Sequence, residues 1–116
     1  MNDRVLSFRS GSGIKVAVGA TTVEITSLLP GRTYRMTHSA GGDTTGTIIS
    51  SGCVCRFSAS DASSANAGFD FAIAAGESLL VRAPVGDAGT TLNVIEMDDN
   101  SAADAALYIQ ELSDDA

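Results

Sequence analysis

Short apolar stretches rich in β-branched residues recur along the chain, and clusters of Gly, Pro, Asp and Ser separate them, which is the spacing of strands joined by turns. The pattern predicts strands at 14–18, 22–25, 33–38, 47–50, 54–57, 69–73, 78–83, 91–97 and 107–112. The fold class expected is therefore all-β: a single-domain antiparallel β-sandwich, jelly-roll-like, of eight or nine short strands. Within 33–38, Tyr34, Met36 and His38 share one face and Arg35 and Thr37 the other, so one face is expected to be buried and the other wet. Turn chemistry supports the division. Leu29-Pro30-Gly31-Arg32 places Pro and Gly where a type II turn needs them, Ala40-Gly41-Gly42-Asp43 links two strands, and Ala75-Gly76-Glu77 forms a tight connection.

Two segments admit a helix. Residues 100–112 hold Ala-rich helix formers after an Asn100 or Ser101 cap, but the helical face (Ala103, Ala106, Leu107, Gln110) is poor in large apolar side chains. A turn over 102–106 followed by a terminal strand, with Leu107, Ile109 and Glu111 opposite Tyr108, Gln110 and Leu112, is preferred. The Ser/Ala-rich stretch 58–68 reads as a surface loop. Three regions are expected: a flexible amino-terminal arm over 1–13 around Ser10-Gly11-Ser12-Gly13, a β-sandwich domain over 14–112, and an acidic tail over 113–116.

Composition changes the picture in two ways. Ala, Ser, Thr and Gly supply close to half the chain, Trp is absent and aromatics are 5%, so the core is expected to be thin and association is a natural way to complete it. Acids outnumber bases fourteen to seven for a net charge of −7, which weighs against nucleic acid as a partner. All seven cations precede residue 83, and Asp98, Asp99, Asp104, Glu111, Asp114 and Asp115 load the end. Such polarity orients a subunit on a partner or simply keeps it soluble. The first residues lack the apolar run of a signal peptide, and no stretch reaches the ~20 apolar residues of a membrane span, so a soluble protein made without export and with no membrane partner is expected. Cys53 and Cys55 lie one residue apart on a strand, on the same face and a little too far apart for a disulfide, and are expected as free thiols.

Candidate chemistry is sparse. His38 is the only histidine, so any Ser-His-Asp or Cys-His mechanism must use it as base; a surface or satisfied half-buried ring is the simpler expectation. Cys53, Cys55 and His38 lack a fourth ligand and the paired spacing of zinc motifs. Asp98-Asp99-Asn100-Ser101 and Gly86-Asp87-Ala88-Gly89 offer oxygens for Ca²⁺, but neither spells an EF-hand loop and both are ordinary turn sequences. Gly11-Ser12-Gly13 lacks the rest of a phosphate-binding fingerprint. No catalytic residue, metal ligand or cofactor is assigned, and no enzyme activity is expected. In the arm, Arg4, Val5, Leu6, Phe8 and Arg9 combine apolar anchors with positive charge on an acidic protein, and are the residues assigned to partner binding.

Four phrases together carry a resemblance: Val16-Ala17-Val18-Gly19-Ala20, Leu28-Leu29-Pro30-Gly31-Arg32-Thr33-Tyr34-Arg35, Phe71-Ala72-Ile73-Ala74-Ala75-Gly76-Glu77-Ser78-Leu79-Leu80-Val81 and Leu107-Tyr108-Ile109-Gln110-Glu111-Leu112. Over residues 14–112 the chain resembles small all-β virion structural proteins of tailed bacteriophages. The resemblance implies a capsid decoration (cement) protein on the outer surface of the virion, binding the major capsid protein or another virion protein as a homo-oligomer, trimer or dimer. It equally implies a tail, collar or fibre-base component. A receptor- or glycan-binding β-sandwich module is the competing class. The loop at 98–106 and the acidic end depart from the family pattern.

Overall fold

A computed structural model describes residues 8–41, 50–58, 68–85, 89–97 and 105–112. Among these, eight strands and no helix are found: β1 (Ile14–Ala17), β2 (Val23–Ile25), β3 (Thr33–Ser39), β4 (Gly52–Ser58), β5 (Phe71–Ala74), β6 (Ser78–Arg82), β7 (Thr91–Glu96) and β8 (Ala106–Glu111). They form two antiparallel four-stranded sheets, ordered β1-β8-β3-β6 and β2-β7-β4-β5. The numbering has a simple logic. β4 pairs with β5, β3 with β6, β2 with β7 and β1 with β8, so the first half of the chain lies along the second half as one long antiparallel hairpin. Successive pairs fall alternately in the two sheets, and the β3·β8 and β4·β7 pairings close each sheet.

Strand alternation puts the core between the sheets. Tyr34, Met36 and His38 of β3 and Leu107 and Ile109 of β8 are buried, with Arg35, Tyr108 and Gln110 exposed between them. The other sheet contributes Cys53, Cys55, Ile73, Leu92 and Val94 to the same apolar cluster. The largest fully buried apolar side chains are Met36, Ile73, Leu92, Leu107 and Ile109, and the aromatic contribution is Tyr34 with a tilted, partly buried pair, Phe57 and Phe71, whose ring centres are 6.1 Å apart. Cys53 Sγ and Cys55 Sγ lie 3.9 Å apart as free, buried thiols, both facing the core.

The turns follow their residues. Arg32 N–H reaches Leu29 O at 3.3 Å with Gly31 at φ 76°, the type II arrangement, and Glu77 N–H reaches Ala74 O at 3.0 Å with Gly76 at φ 82°. Some boundaries differ from the sequence pattern. β4 begins at Gly52, two residues before the apolar run, because Gly52 and Cys53 already pair with Ala74 and Ile73. β5 begins later, at Phe71, because the Asp70 carboxylate accepts the Phe57 N–H at 2.9 Å where the ladder would have continued. In the candidate strand 47–50, Ser50 is not in a strand, and residues 47–49 lie outside the described residues. The segment after Ala105 is strand, as preferred over a helix. Residues 42–43 and 86–88 of the two glycine-bearing turns, the loop 59–67, residues 98–104 and the tail 113–116 are outside the described residues.

Candidate functional site

Of the residues assigned to partner binding, Arg4, Val5 and Leu6 lie outside the described residues. Phe8 and Arg9 are held against the body. Phe8 bridges Leu112, Arg9 N–H donates to Glu111 O at 2.9 Å, and Arg9 Nη1 lies 3.3 Å from Glu111 Oε1. Ser12 Oγ donates to Arg9 O at 2.8 Å and accepts from Glu111 N–H at 3.1 Å. The region expected as an arm to residue 13 is therefore docked on β8 from Phe8 onward. Glu111 gives this anchor its electrostatic reason: its side chain is 6% exposed, and Arg32 Nε stands 3.9 Å from the second carboxylate oxygen. A buried carboxylate needs such partners.

The sheet β1-β8-β3-β6 turns its outer face to solvent. Register places Lys15, Tyr108, Thr37 and Ser78 in one row across all four strands, and Gln110, Arg35 and Leu80 in the next. Thr37 Oγ1 and Ser78 Oγ share a hydrogen bond of 2.7 Å, and Lys15 Nζ lies 5.9 Å from the centre of the Tyr108 ring. A shallow groove of about 470 Å³ runs over Lys15, Arg35, Thr37, Tyr108 and Gln110. Tyr108 is 42% exposed at its floor. On a chain of net charge −7, these rows and the adjoining Arg82 carry three cations and no carboxylate, and no salt bridge joins Lys15, Arg35 or Arg82 to the described residues. The face is thus basic, half apolar and open.

The expectation for His38 is corrected. The ring is 1% exposed rather than at the surface or half-buried, because it follows Tyr34 and Met36 on the inward phase of β3. It belongs to a buried polar cluster with Ser50 and Glu96, both within 1% of full burial. Ser50 Oγ lies 2.8 Å from Glu96 Oε1, 3.1 Å from His38 Nε2 and 3.2 Å from Gly52 N. A hydroxyl has one proton. Donated along the shortest contact to Glu96, it leaves the oxygen to accept from Gly52 N–H and from His38 Nε2–H, which assigns the neutral Nε2–H tautomer. Nδ1 is buried without a hydrogen-bond partner. Burial pulls the His38 pKa below its ordinary 6.5, against the opposing pull of Glu96.

The geometry of this cluster differs from that of a serine–histidine–carboxylate relay. A nucleophilic serine needs Nε2 to receive its proton and a carboxylate on Nδ1; here the serine hydroxyl donates its hydrogen bond to the carboxylate and Nδ1 has no hydrogen-bond partner. Its role is to tie β3 and β7 to the segment entering β4. Glu96 and Ser50 are residues of this cluster that strand alternation and motif spacing did not single out. Glu96 was detectable, since it lies in phase with Leu92 and Val94 on the inward side of a strand, where a carboxylate demands a partner. Among the described residues, no cluster of three His, Cys, Asp or Glu side chains is arranged to hold a metal ion.

Comparisons with protein-family models, with curated proteins and with solved structures found no match.

Proposed function

We propose that this chain is a non-enzymatic virion structural protein, a jelly-roll β-sandwich that binds an assembled phage capsid from outside as a homo-oligomer and stabilises it. The observation that carries this reading is the strand order. The strand order β1-β8-β3-β6 and β2-β7-β4-β5, a single hairpin folded over itself, supports a double-sheet jelly roll, an architecture common among viral capsid domains. Because fold alone does not assign a role, the surface must supply the binding argument. The basic outer face at Lys15, Arg35 and Arg82, with Tyr108 and Leu80 among the cations, suits an acidic protein surface better than it suits solvent. Phe8 and Arg9 dock beside Glu111 and stay exposed to solvent, and the proposed arm contact takes in Arg4, Val5, Leu6, Phe8 and Arg9.

Co-sedimentation with purified capsids, which pellet while free protein stays in solution, tests the proposal. Pelleting of the intact chain, reduced at least tenfold by Arg35→Glu with Lys15→Glu, is expected. Absence of pelleting refutes the cement role. One observation favours the second reading, a receptor- or glycan-binding module of the tail: an exposed tyrosine flooring a groove edged by Gln110, Thr37 and Arg35 is how a sugar ring is stacked and hydrogen-bonded. Binding to a glycan array that is lost in Tyr108→Ala would move the assignment to that class.

A further inference from the structure

Each sheet has two edges, and three of the four are blunted. β1 and β2 carry Lys15 and Glu24 in mid-strand, β5 follows Asp70, and all three have four residues or fewer. These are the usual defences against edge-to-edge pairing. β6 follows Glu77 as β5 follows Asp70, but it carries no charge in mid-strand and is not as short. It is the longest edge strand, at five residues, and has no charge before Arg82. It exposes large apolar side chains on both faces, Leu80 at 54% on the outer face and Leu79 at 39% on the core face. Leu79 lies opposite the fully buried Met36, yet among the described residues no strand flanks it on the side away from β3.

The hydrogen bonds fix which backbone groups are free. Glu77 O accepts from His38 N at 3.1 Å and Ala83 N donates to Arg32 O at 2.8 Å, so the odd-numbered residues of β6 point at β3. In an antiparallel ladder the alternate residues then point the other way. Ser78, Leu80 and Arg82 therefore direct three N–H and three C=O groups to the edge that, among the described residues, no strand covers.

The geometry points to a second copy of this chain as the occupant of that edge, paired antiparallel through β6 about a two-fold axis at Leu80. Antiparallel pairing of like strands is self-complementary. One register uses every free group: Leu80 opposite Leu80, and Ser78 of each copy opposite Arg82 of the other. All three outward residues then sit in hydrogen-bonded pairs, exchanging six backbone bonds, and the two sheets become one of eight strands. The same register sets Leu79 against Val81 on the core face and covers both. Each Arg82 faces a serine rather than another arginine, so no like charges stand opposite. Slipping by two residues leaves only Ser78 and Leu80 paired within the strands and moves Arg82 opposite the turn at Gly76. The pairing deepens the homo-oligomer part of the proposed function but does not depend on capsid binding.

Analytical ultracentrifugation of the full chain should show a concentration-dependent monomer–dimer equilibrium, as fits a small interface. Leu80→Lys places two ammonium groups on the axis and should weaken dimerisation at least tenfold. Leu80 is half exposed, so the melting temperature of the monomer should hold. Under mild oxidation, Leu80→Cys should cross-link into a disulfide dimer, because directly paired positions lie within bridging distance. Lys15→Cys, on the opposite edge of the same sheet, should not. A wild-type chain that is monomeric at all concentrations, a dimer indifferent to Leu80→Lys, or equal cross-linking of the Lys15→Cys and Leu80→Cys variants would overturn the β6 contact. Capsid co-sedimentation reads the shell-binding role separately, so either can fail alone.

Discussion

Gly52 is the residue whose replacement should cost the fold most for one added carbon. It opens β4 at φ 153°, a conformation that side chains rarely adopt, and a Cβ built there would collide with the Ile73 carbonyl oxygen and meet the Met97 methyl at 2.8 Å and Ala74 Cα at 2.9 Å. The methionine end can move. The two β5 backbone atoms cannot, because Gly52 and Cys53 are in register with Ala74 and Ile73. Gly52 N–H also donates to Ser50 Oγ, so displacing it disturbs the buried cluster. Glycine-only backbone geometry costs about 1–3 kcal/mol and overpacking a core site about 1–3 more. Gly52→Ala should thus lose roughly 2–6 kcal/mol, a large share of the ~5–15 that hold a domain together. Gly76→Ala is the control, since φ is 82° but no atom lies within 4 Å of the added Cβ. It should lose only about 1–2 kcal/mol. At roughly 4 °C per kcal/mol for a domain of this size, thermal melts followed by circular dichroism should separate the two variants clearly. A Gly52→Ala protein that melts with or above Gly76→Ala would refute the close approach of β4 and β5.

Three further outcomes follow from the buried groups. His38 is held neutral by burial, so below its ordinary pKa of 6.5 the unfolded chain takes up a proton that the folded chain refuses; stability should fall as pH drops from 7 to 5, and Tm in His38→Gln should lose that part of the slope. Arg9→Ala should destabilise by about 1–2 kcal/mol in urea melts, because it strips the nearer cation from the buried Glu111 carboxylate, whereas an Arg9 that served only a partner would leave the melt unchanged. Cys53 and Cys55 are both fully buried, and Cys55 is also pushed well above the ordinary thiol range by its contact with Cys53 and then by burial, so the pair should resist a disulfide-exchange reagent in the native protein and react once it is unfolded, without prior reduction.

The strands were legible in the sequence because alternation is a local signal: Tyr34, Met36 and His38 announced a buried face, and Leu107, Ile109 and Glu111 another. Strand limits were less so. Gly52 joins β4 through partners far away in sequence, and Asp70 shortens β5 by capping a neighbour's N–H. The anchoring of Phe8 and Arg9 was invisible for the same reason, since it depends on Glu111, roughly a hundred residues on. The basic face was legible only as scattered cations. Lys15, Arg35 and Arg82 become one surface through the register of four strands, and no count of charges along the chain reveals it.

The rolled-hairpin order also governs when the protein can exist. β8 sits in the middle of its sheet, between β1 and β3, and β7 sits in the middle of the other, between β2 and β4. A nascent chain that has emerged only as far as Arg82 holds β3 with β6 and β4 with β5, while β1 and β2 wait for strands not yet made. Each sheet is then two pieces with its central strand missing. Closing contacts between strands so distant in sequence is slow, and the exposed inner edges of β1, β2, β3 and β4 are sticky in the interval. Closure of both sheets therefore waits on β7 and β8, and lesions in either strand should appear first as insoluble protein, before any assay of binding can be run.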